Sequence, residues 1–246
     1  MARREVYPEL PSTQDRAIEL ARDGAEEGSV VVAARQTRGR GRGDRRWASP
    51  SGGLYLSVIL RAPATPTLLP LAVGVEVADA ISAEYGVRLR LKWPNDLLAV
   101  DGAGTPRKLA GVLVDLVRAR DGSEAAAVVG IGVNACGGAS GWPPEVATRS
   151  VALEALTPGP VALDRLETVV VRAAVTARRA LAEPNGDRAV LARVRGLLYG
   201  VGEPVTVDGV AAGVVVGVRA DGGLEVQGPD GSGTVLAGDV HLGVGR

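Results

Sequence analysis

Beyond Tyr199 the chain breaks into short β-branched runs at 205–207, 212–219, 224–227 and 234–236. They are parted by Asp208-Gly209, Asp221-Gly222-Gly223 and Asp230-Gly231. Asp-Gly between alternating runs favours tight hairpins, because both turn positions accept positive φ. Such a segment can fold only as a small antiparallel β unit, a barrel or a sandwich. The preceding part reads differently. Helical patterns at 14–27, 66–85, 163–182 and 188–198 mix there with strand patterns at 29–34, 54–60, 88–93, 109–117 and 125–133. Ser12 and Thr13 are suited to cap the first helix. Many connections are hairpin-length, which favours an α+β class with a mixed or antiparallel sheet over a doubly wound parallel one. Two units are expected, 1–198 and 199–246.

At 246 residues the chain is long enough to bury roughly 70–75% of its unfolded surface, so the core needs no staples. Its single Cys136 cannot close an intramolecular disulfide, and one His with one Cys excludes a thiolate–imidazole zinc site. Lys and Arg number 28 against 28 Asp and Glu. A general nucleic-acid or membrane-surface binder would carry a basic excess, so anion chemistry here must be local. No apolar run is expected to reach the roughly 18 residues of a membrane span, Glu76 and Asn134 interrupting the longest. The basic start lacks an apolar stretch behind it, and a soluble cytoplasmic protein is expected.

Only Lys92 and Lys108 are lysines among those 28 basic residues, leaving 28 − 2 = 26 arginines. A lysine kept against such a bias suits work that a planar guanidinium cannot do. Residues 35–47, RQTRGRGRGDRRW, carry six arginines and three alternate glycines with neither helical nor strand period. Arginine offers paired donors to carboxylate and phosphate, and glycine lets backbone approach a ligand. This is an anion-wrapping loop, though neither a Walker loop nor a dinucleotide fingerprint. Read alone, it also fits an RNA-contacting tract.

Three further segments follow. Lys92-Trp93-Pro94-Asn95-Asp96 ends a strand at a Pro break. Arg107-Lys108-Leu109-Ala110-Gly111 sets a lysine at the mouth of another. Gly130-Ile131-Gly132-Val133-Asn134 puts two glycines in a buried strand, costly unless something packs on that backbone. A loop with Gly137, Gly138, Gly141, Pro143 and Pro144 comes next.

In this order the four segments resemble the biotin–protein ligases, and the resemblance extends over about residues 10–246. It implies a core like that of class II aminoacyl-tRNA synthetases plus a small C-terminal SH3-like barrel. It implies ATP and Mg²⁺ as co-substrate and ion, biotin as substrate, biotinyl-5′-AMP as intermediate, and no permanently bound cofactor. The acceptor would be a lysine of the biotin carboxyl carrier domain of a carboxylase. Homodimers are common in the family. The subclass implied lacks an N-terminal DNA-binding domain, so neither nucleic acid nor membrane is an expected partner.

Carried over by position, Lys108, Arg40 and Arg42 would be catalytic. Ser12, Thr13, Gln14, Gln36, Arg40, Gly41, Arg42, Lys108, Gly111 and Gly132 would meet biotin or its adenylate. Gly39, Arg45, Trp47, Asn95, Asp96 and Asn134 fall on the nucleotide side. Gln14 stands where the family often has Asn, and Asp44 where it often has Gly. Trp142 lies in the loop from which some members stack adenine. His241 reads as structural rather than as a general base. Two rivals remain at this point. A lipoate or octanoate ligase would share the fold but not the Gly-Arg-Gly-Arg loop. An RNA-binding module would want several aromatics, and only Trp47 accompanies the arginines.

Overall fold

Alternating or continuous β-branched runs build the first sheet. In a computed structural model, which describes residues 2–102, 104–118, 120, 125–137, 141–229 and 231–242, the first elements are β1 (Arg4–Tyr7), α1 (Thr13–Arg22), β2 (Val30–Ala33) and β3 (Leu54–Arg61). A 3₁₀ turn at Pro66–Leu68 leads into α2 (Leu69–Tyr85), which Gly86 ends at φ 72°. Then come β4 (Leu89–Lys92), β5 (Asp96–Val100), β6 (Pro106–Arg118), β7 (Ala125–Val133), the short α3 (Pro144–Ala147), α4 (Leu163–Ala180) and α5 (Gly186–Leu197). The seven strands lie in the order β1-β2-β3-β7-β6-β5-β4. Only the edge pair β1 and β2 is parallel, joined through α1; the other neighbours are antiparallel. The mixed α+β reading therefore holds.

The two faces of this sheet do different work. Strand alternation sends Leu54, Leu56, Val58 and Leu60 of β3 and Val129, Ile131 and Val133 of β7 to one side. There they meet α2, α4 and α5 in the main core. The opposite parity, Ile59 and Val128 with Val31 of β2 and Val117 of β6, packs under Ala17, Leu20 and Ala21 of α1. Ser12 caps α1 by accepting from the Asp15 amide at 3.3 Å.

The 20-residue segment Pro66–Tyr85 is apolar and long enough to rival a membrane span, contrary to the expectation that Glu76 would break it. Its apolar character is explained by burial beneath α4 and α5. Arg193 of α5 forms ion pairs with Glu76 and with Asp79, the latter at 2.6 Å, so part of the charge of these two carboxylates is offset from outside.

The second sheet is five-stranded and antiparallel: β8 (Pro204–Val207), β9 (Val210–Val218), β10 (Leu224–Gly228), β11 (Gly231–Val235) and β12 (Val240–Leu242), ordered β11-β10-β9-β8-β12. Its Val205, Val215, Val218, Leu224, Val226 and Val240 join the main core. Trp93 reaches across and donates Nε1–H to the Gly222 carbonyl at 2.8 Å. Of the turn glycines, Gly138 and the Asp230 half of the last Asp-Gly lie outside the described residues. Pro144 opens α3 instead of continuing a loop. The strands β1, β5 and β12 were not anticipated. Each is five residues or shorter, too brief for a period to stand out. Pro94-Asn95-Asp96 does break β4, but Asp96 at once begins the returning strand β5.

Candidate functional site

On the α1 face, cross-strand register sets Tyr55, Gly132, Gly111 and Asp96 side by side across β3, β7, β6 and β5. Two adjacent glycines leave a trough there, and the Trp47 indole lies over it. A Cβ on Gly132 would come within 2.6 Å of Trp47 Cε2, and one on Gly111 within 2.7 Å of Cζ3. In the next row a Cβ on Gly130 would fall 2.5 Å from Gln14 Oε1. The cost of glycine in a buried strand is thus offset by ring and amide packing directly on the backbone. A cavity of about 660 Å³ opens along this trough, bounded by the arginine loop and by Asp239–Leu242 of the second sheet.

Lys108 reaches this cavity through an irregularity in β6. Val112 and Ala110 face the core, so plain alternation would send Lys108 there too. The register with β5 shifts instead, Leu97 pairing with Ala110 and Leu98 with Lys108. Leu109 takes the core position at 0% exposure, and the bulge turns Lys108 onto the site face. Bulges commonly re-aim side chains in this way. Its ammonium sits 2.7 Å from Asp96 Oδ1 and 4.8 Å from the Trp47 ring centroid. Asn134 Nδ2 donates to the Lys108 carbonyl at 3.1 Å, and Asn95 Nδ2 to that of Val112 at 2.8 Å. Both asparagines therefore brace the strand ends that carry the charged groups.

One end of the cavity is neutral and rich in oxygen. Gln36 Oε1 accepts from Thr13 N and Oγ1 at 2.8 and 3.1 Å, while its Nε2 donates to Ser49 Oγ at 2.8 Å. Ser57 Oγ lies 3.0 Å from Thr13 Oγ1 and 2.9 Å from Gln14 Oε1, with one proton to give. Gln14 Nε2 spends its protons on Asp115 Oδ2 and the Val128 carbonyl, each at 2.9 Å. Acceptors thus outnumber free donors, and this end suits a ligand bearing N–H groups.

The other end is cationic. Arg40 is held by Asp15 at 3.1 Å and Asp115 at 3.2 Å, and Arg45 by Asp239 at 2.7 Å. Arg42 lies 6.0 Å from the Trp93 ring centroid. Burial, and then neighbouring Arg45, push its guanidinium below the usual range. Burial likewise lowers the Lys92 ammonium, opposed by Asp96 and reinforced by Lys108. The Trp47 Nε1 donor is buried without a partner among the described residues. An unmet donor costs about 1–3 kcal/mol, which a ligand oxygen at this point would recover.

The structure brings Thr13, Gln14, Gln36, Arg40, Gly41, Arg42, Arg45, Trp47, Asn95, Asp96, Lys108, Gly111, Gly132 and Asn134 onto one cavity wall. Ser12 and Gly39 are not on it. Ser12 is the helix cap, and the Gly39 carbonyl accepts from Trp47 N at 2.9 Å, fixing the loop. Trp142 is also absent from the wall, whereas Lys92, Ser57, Gly130, Arg149, Asp239 and His241 line it. Ser57 had a visible signal, being the one polar side chain in the apolar run 54–60. His241 Nε2 sits 3.4 Å from Asp239 Oδ2.

The family model for the biotin/lipoate A/B protein ligases matches residues 6–134. The chain belongs to this family. As a member, it is 32% identical over 246 residues to the biotin–[acetyl-CoA-carboxylase] ligase of Paracoccus denitrificans, covering 94% of this chain and 97% of that one. It is 41% identical over 130 residues to the bifunctional ligase/repressor BirA of Bacillus subtilis, covering 51% of this chain but only 38% of that protein's own length. Among solved structures, the biotin protein ligase of Aquifex aeolicus in complex with biotin and ATP superposes with a TM-score of 0.82 at 27% identity, covering 98% and 99% of the two chains. The ligase-family likeness therefore extends through both sheets.

Proposed function

We propose that this chain is a biotin–protein ligase. A biotin carboxylate oxygen attacks the α-phosphorus of ATP, the bond to the β-phosphate oxygen breaks, and biotinyl-5′-AMP and pyrophosphate form. A carrier-domain lysine amine then attacks the acyl carbon, AMP leaves, and an amide remains. The acceptor is the biotin carboxyl carrier domain of a carboxylase. One observation carries the reading: a single cavity joins a neutral, acceptor-rich end at Thr13, Gln14, Gln36 and Ser57 to a cationic end at Lys92, Arg40, Arg42 and Lys108. A cyclic urea carries two N–H donors for the first, and the joined carboxylate and phosphate need the second.

Charge builds on the α-phosphate oxygens as two anions are brought together. Arg40, Arg42 and Lys108 neutralise it from a partly enclosed cavity, where such contacts act more strongly than in open water. A compact ammonium can meet carboxylate and phosphate from one point, which fits Lys108. Asn95 and Asn134 retain their carbonyl oxygens for the nucleotide side, with Arg45 and Trp47. Mg²⁺ is taken as an ion that arrives with the triphosphate. We assign 1–198 to a catalytic unit of the class II synthetase type and 199–246 to an SH3-like barrel. The break between α5 and β8 supports this division.

The test is exchange of labelled pyrophosphate into ATP with biotin, lipoate or octanoate as the acid. Exchange with biotin alone is expected. Exchange with lipoate or octanoate instead would move the substrate within the family, and no exchange with any acid would overturn the enzyme reading.

A further inference from the structure

Asp115 lies off the cavity wall, yet its carboxylate touches both ends of the site. Its Oδ2 accepts from Gln14 Nε2 at 2.9 Å, while Arg40 Nη1 sits 3.2 Å from Oδ2 and Nη2 donates to Oδ1 at 3.4 Å. Asp115 is in β6, on the same face as Gly111, and interrupts the apolar run Val112–Val117 as its one charged residue. Its side chain is 29% exposed. A charged group so placed costs solvation, and a strand does not need it.

We propose that Asp115 is a positioning residue that couples the acid-binding end to the phosphate-binding end. The inference rests on the biotin-ligase reading. An ionised carboxylate only accepts hydrogen bonds. Beside Gln14 it fixes the amide with nitrogen outward and Oε1 toward Ser57 and the cavity, so the acid end presents an acceptor to a ligand N–H. Beside Arg40 the same carboxylate, with Asp15, holds the guanidinium at the mouth of the loop. A ligand that draws on Gln14 therefore disturbs the anchor of Arg40, and the reverse.

Asparagine is the informative replacement. It keeps the shape but removes the charge and exchanges one acceptor oxygen for an N–H₂ group. Whichever way the amide is turned, either Gln14 Nε2 at the Oδ2 position or Arg40 Nη2 at the Oδ1 position meets a donor. Asp115→Asn is expected to weaken biotin binding and to shorten retention of biotinyl-AMP, each on the order of tenfold or more, because a partly buried donor is left facing a donor and the charge opposite Arg40 is lost. The experiment measures biotin affinity by calorimetry and adenylate release by filter retention. It uses Asp115→Asn alone and combined with Gln14→Ala or Arg40→Ala, in the full chain.

If coupling is real, the biotin effect largely disappears in the Gln14→Ala background and the retention effect in the Arg40→Ala background. Fully additive effects, or a lowered unfolding midpoint with both ligand readouts unchanged, would overturn the proposal while leaving the ligase reading intact. Absence of biotin binding by the unaltered protein would overturn both.

Discussion

Lys108 Nζ sits 2.7 Å from Asp96 Oδ1, so the ammonium offered to substrate anions is already paired within the resting protein. Asp96 aims the ammonium, and the pair spans neighbouring strands whose register is shifted by the Leu109 bulge. With side chains only 30% and 22% exposed, the pair is partly buried, and removing the lysine leaves the Asp96 carboxylate without its partner. Lys108→Ala should therefore lower the thermal midpoint while keeping the fold, and slow adenylate formation by about 10²–10³. Single-turnover pyrophosphate release measures this, and an unaltered rate would remove Lys108 from the chemistry.

The glycine trough makes a second expectation. Alanine at 132 would press its methyl to within 2.6 Å of the Trp47 ring, and the paired strands cannot retreat. The loop-borne indole must lift. Gly132→Ala should shift Trp47 emission to the red, judged against a Trp47→Phe control, and weaken biotin binding. Overpacking of this kind costs about 1–3 kcal/mol. Unchanged emission and affinity together would mean that the indole does not rest on this strand in solution.

These relationships bear on what the sequence discloses. Motif order in 35–47, 92–96, 107–111 and 130–134 carried the family, and alternation carried the central strands. Glycines at 111, 130 and 132 could be read as demanding a close neighbour, but not which one. That Trp47 and Gln14 fill those places follows from how a loop and a helix dock on the sheet. The facing of Lys108 was hidden for a similar reason, because a bulge reverses parity and leaves no mark in hydropathy. Asp239 and His241 were obscure too. Asp239, just before β12, meets Arg45 only after the two sheets share a core, and His241 of β12 lies beside Asp239.

That clasp between Arg45 and Asp239 should be sensitive to acid. Burial raises the Asp239 carboxyl, but Arg45 and then His241 outweigh it, and the folded value lies below the unfolded 3.8. A carboxyl depressed on folding contributes stability that is complete above its unfolded value and lost as pH falls through the folded one. Loop closure should thus be flat from neutrality down to about pH 4 and weaken below it. Limited proteolysis of the 35–47 loop against pH measures this. Asp239→Asn should be nicked faster at neutral pH and lose the acid limb. Since the pair is about half exposed, 55% and 47%, global stability should change by under about 1 kcal/mol.

The last expectation concerns the joint between the sheets. Trp93 is 4% exposed, sits in the main core, and donates to the Gly222 carbonyl at 2.8 Å. The ring and the hydrogen bond are separable by substitution. Trp93→Phe keeps an aromatic ring but leaves a buried carbonyl unmet, costing about 1–3 kcal/mol. Trp93→Ala also opens a cavity and should cost about 3–5 kcal/mol. Urea unfolding followed by circular dichroism distinguishes the two. Both variants should also loosen the Asp239 side of the cavity, because Gly222 anchors the second sheet against residues that precede α2. If Trp93→Phe matched the unaltered protein in stability, the hydrogen bond would be dispensable and apolar packing alone would hold the sheets together.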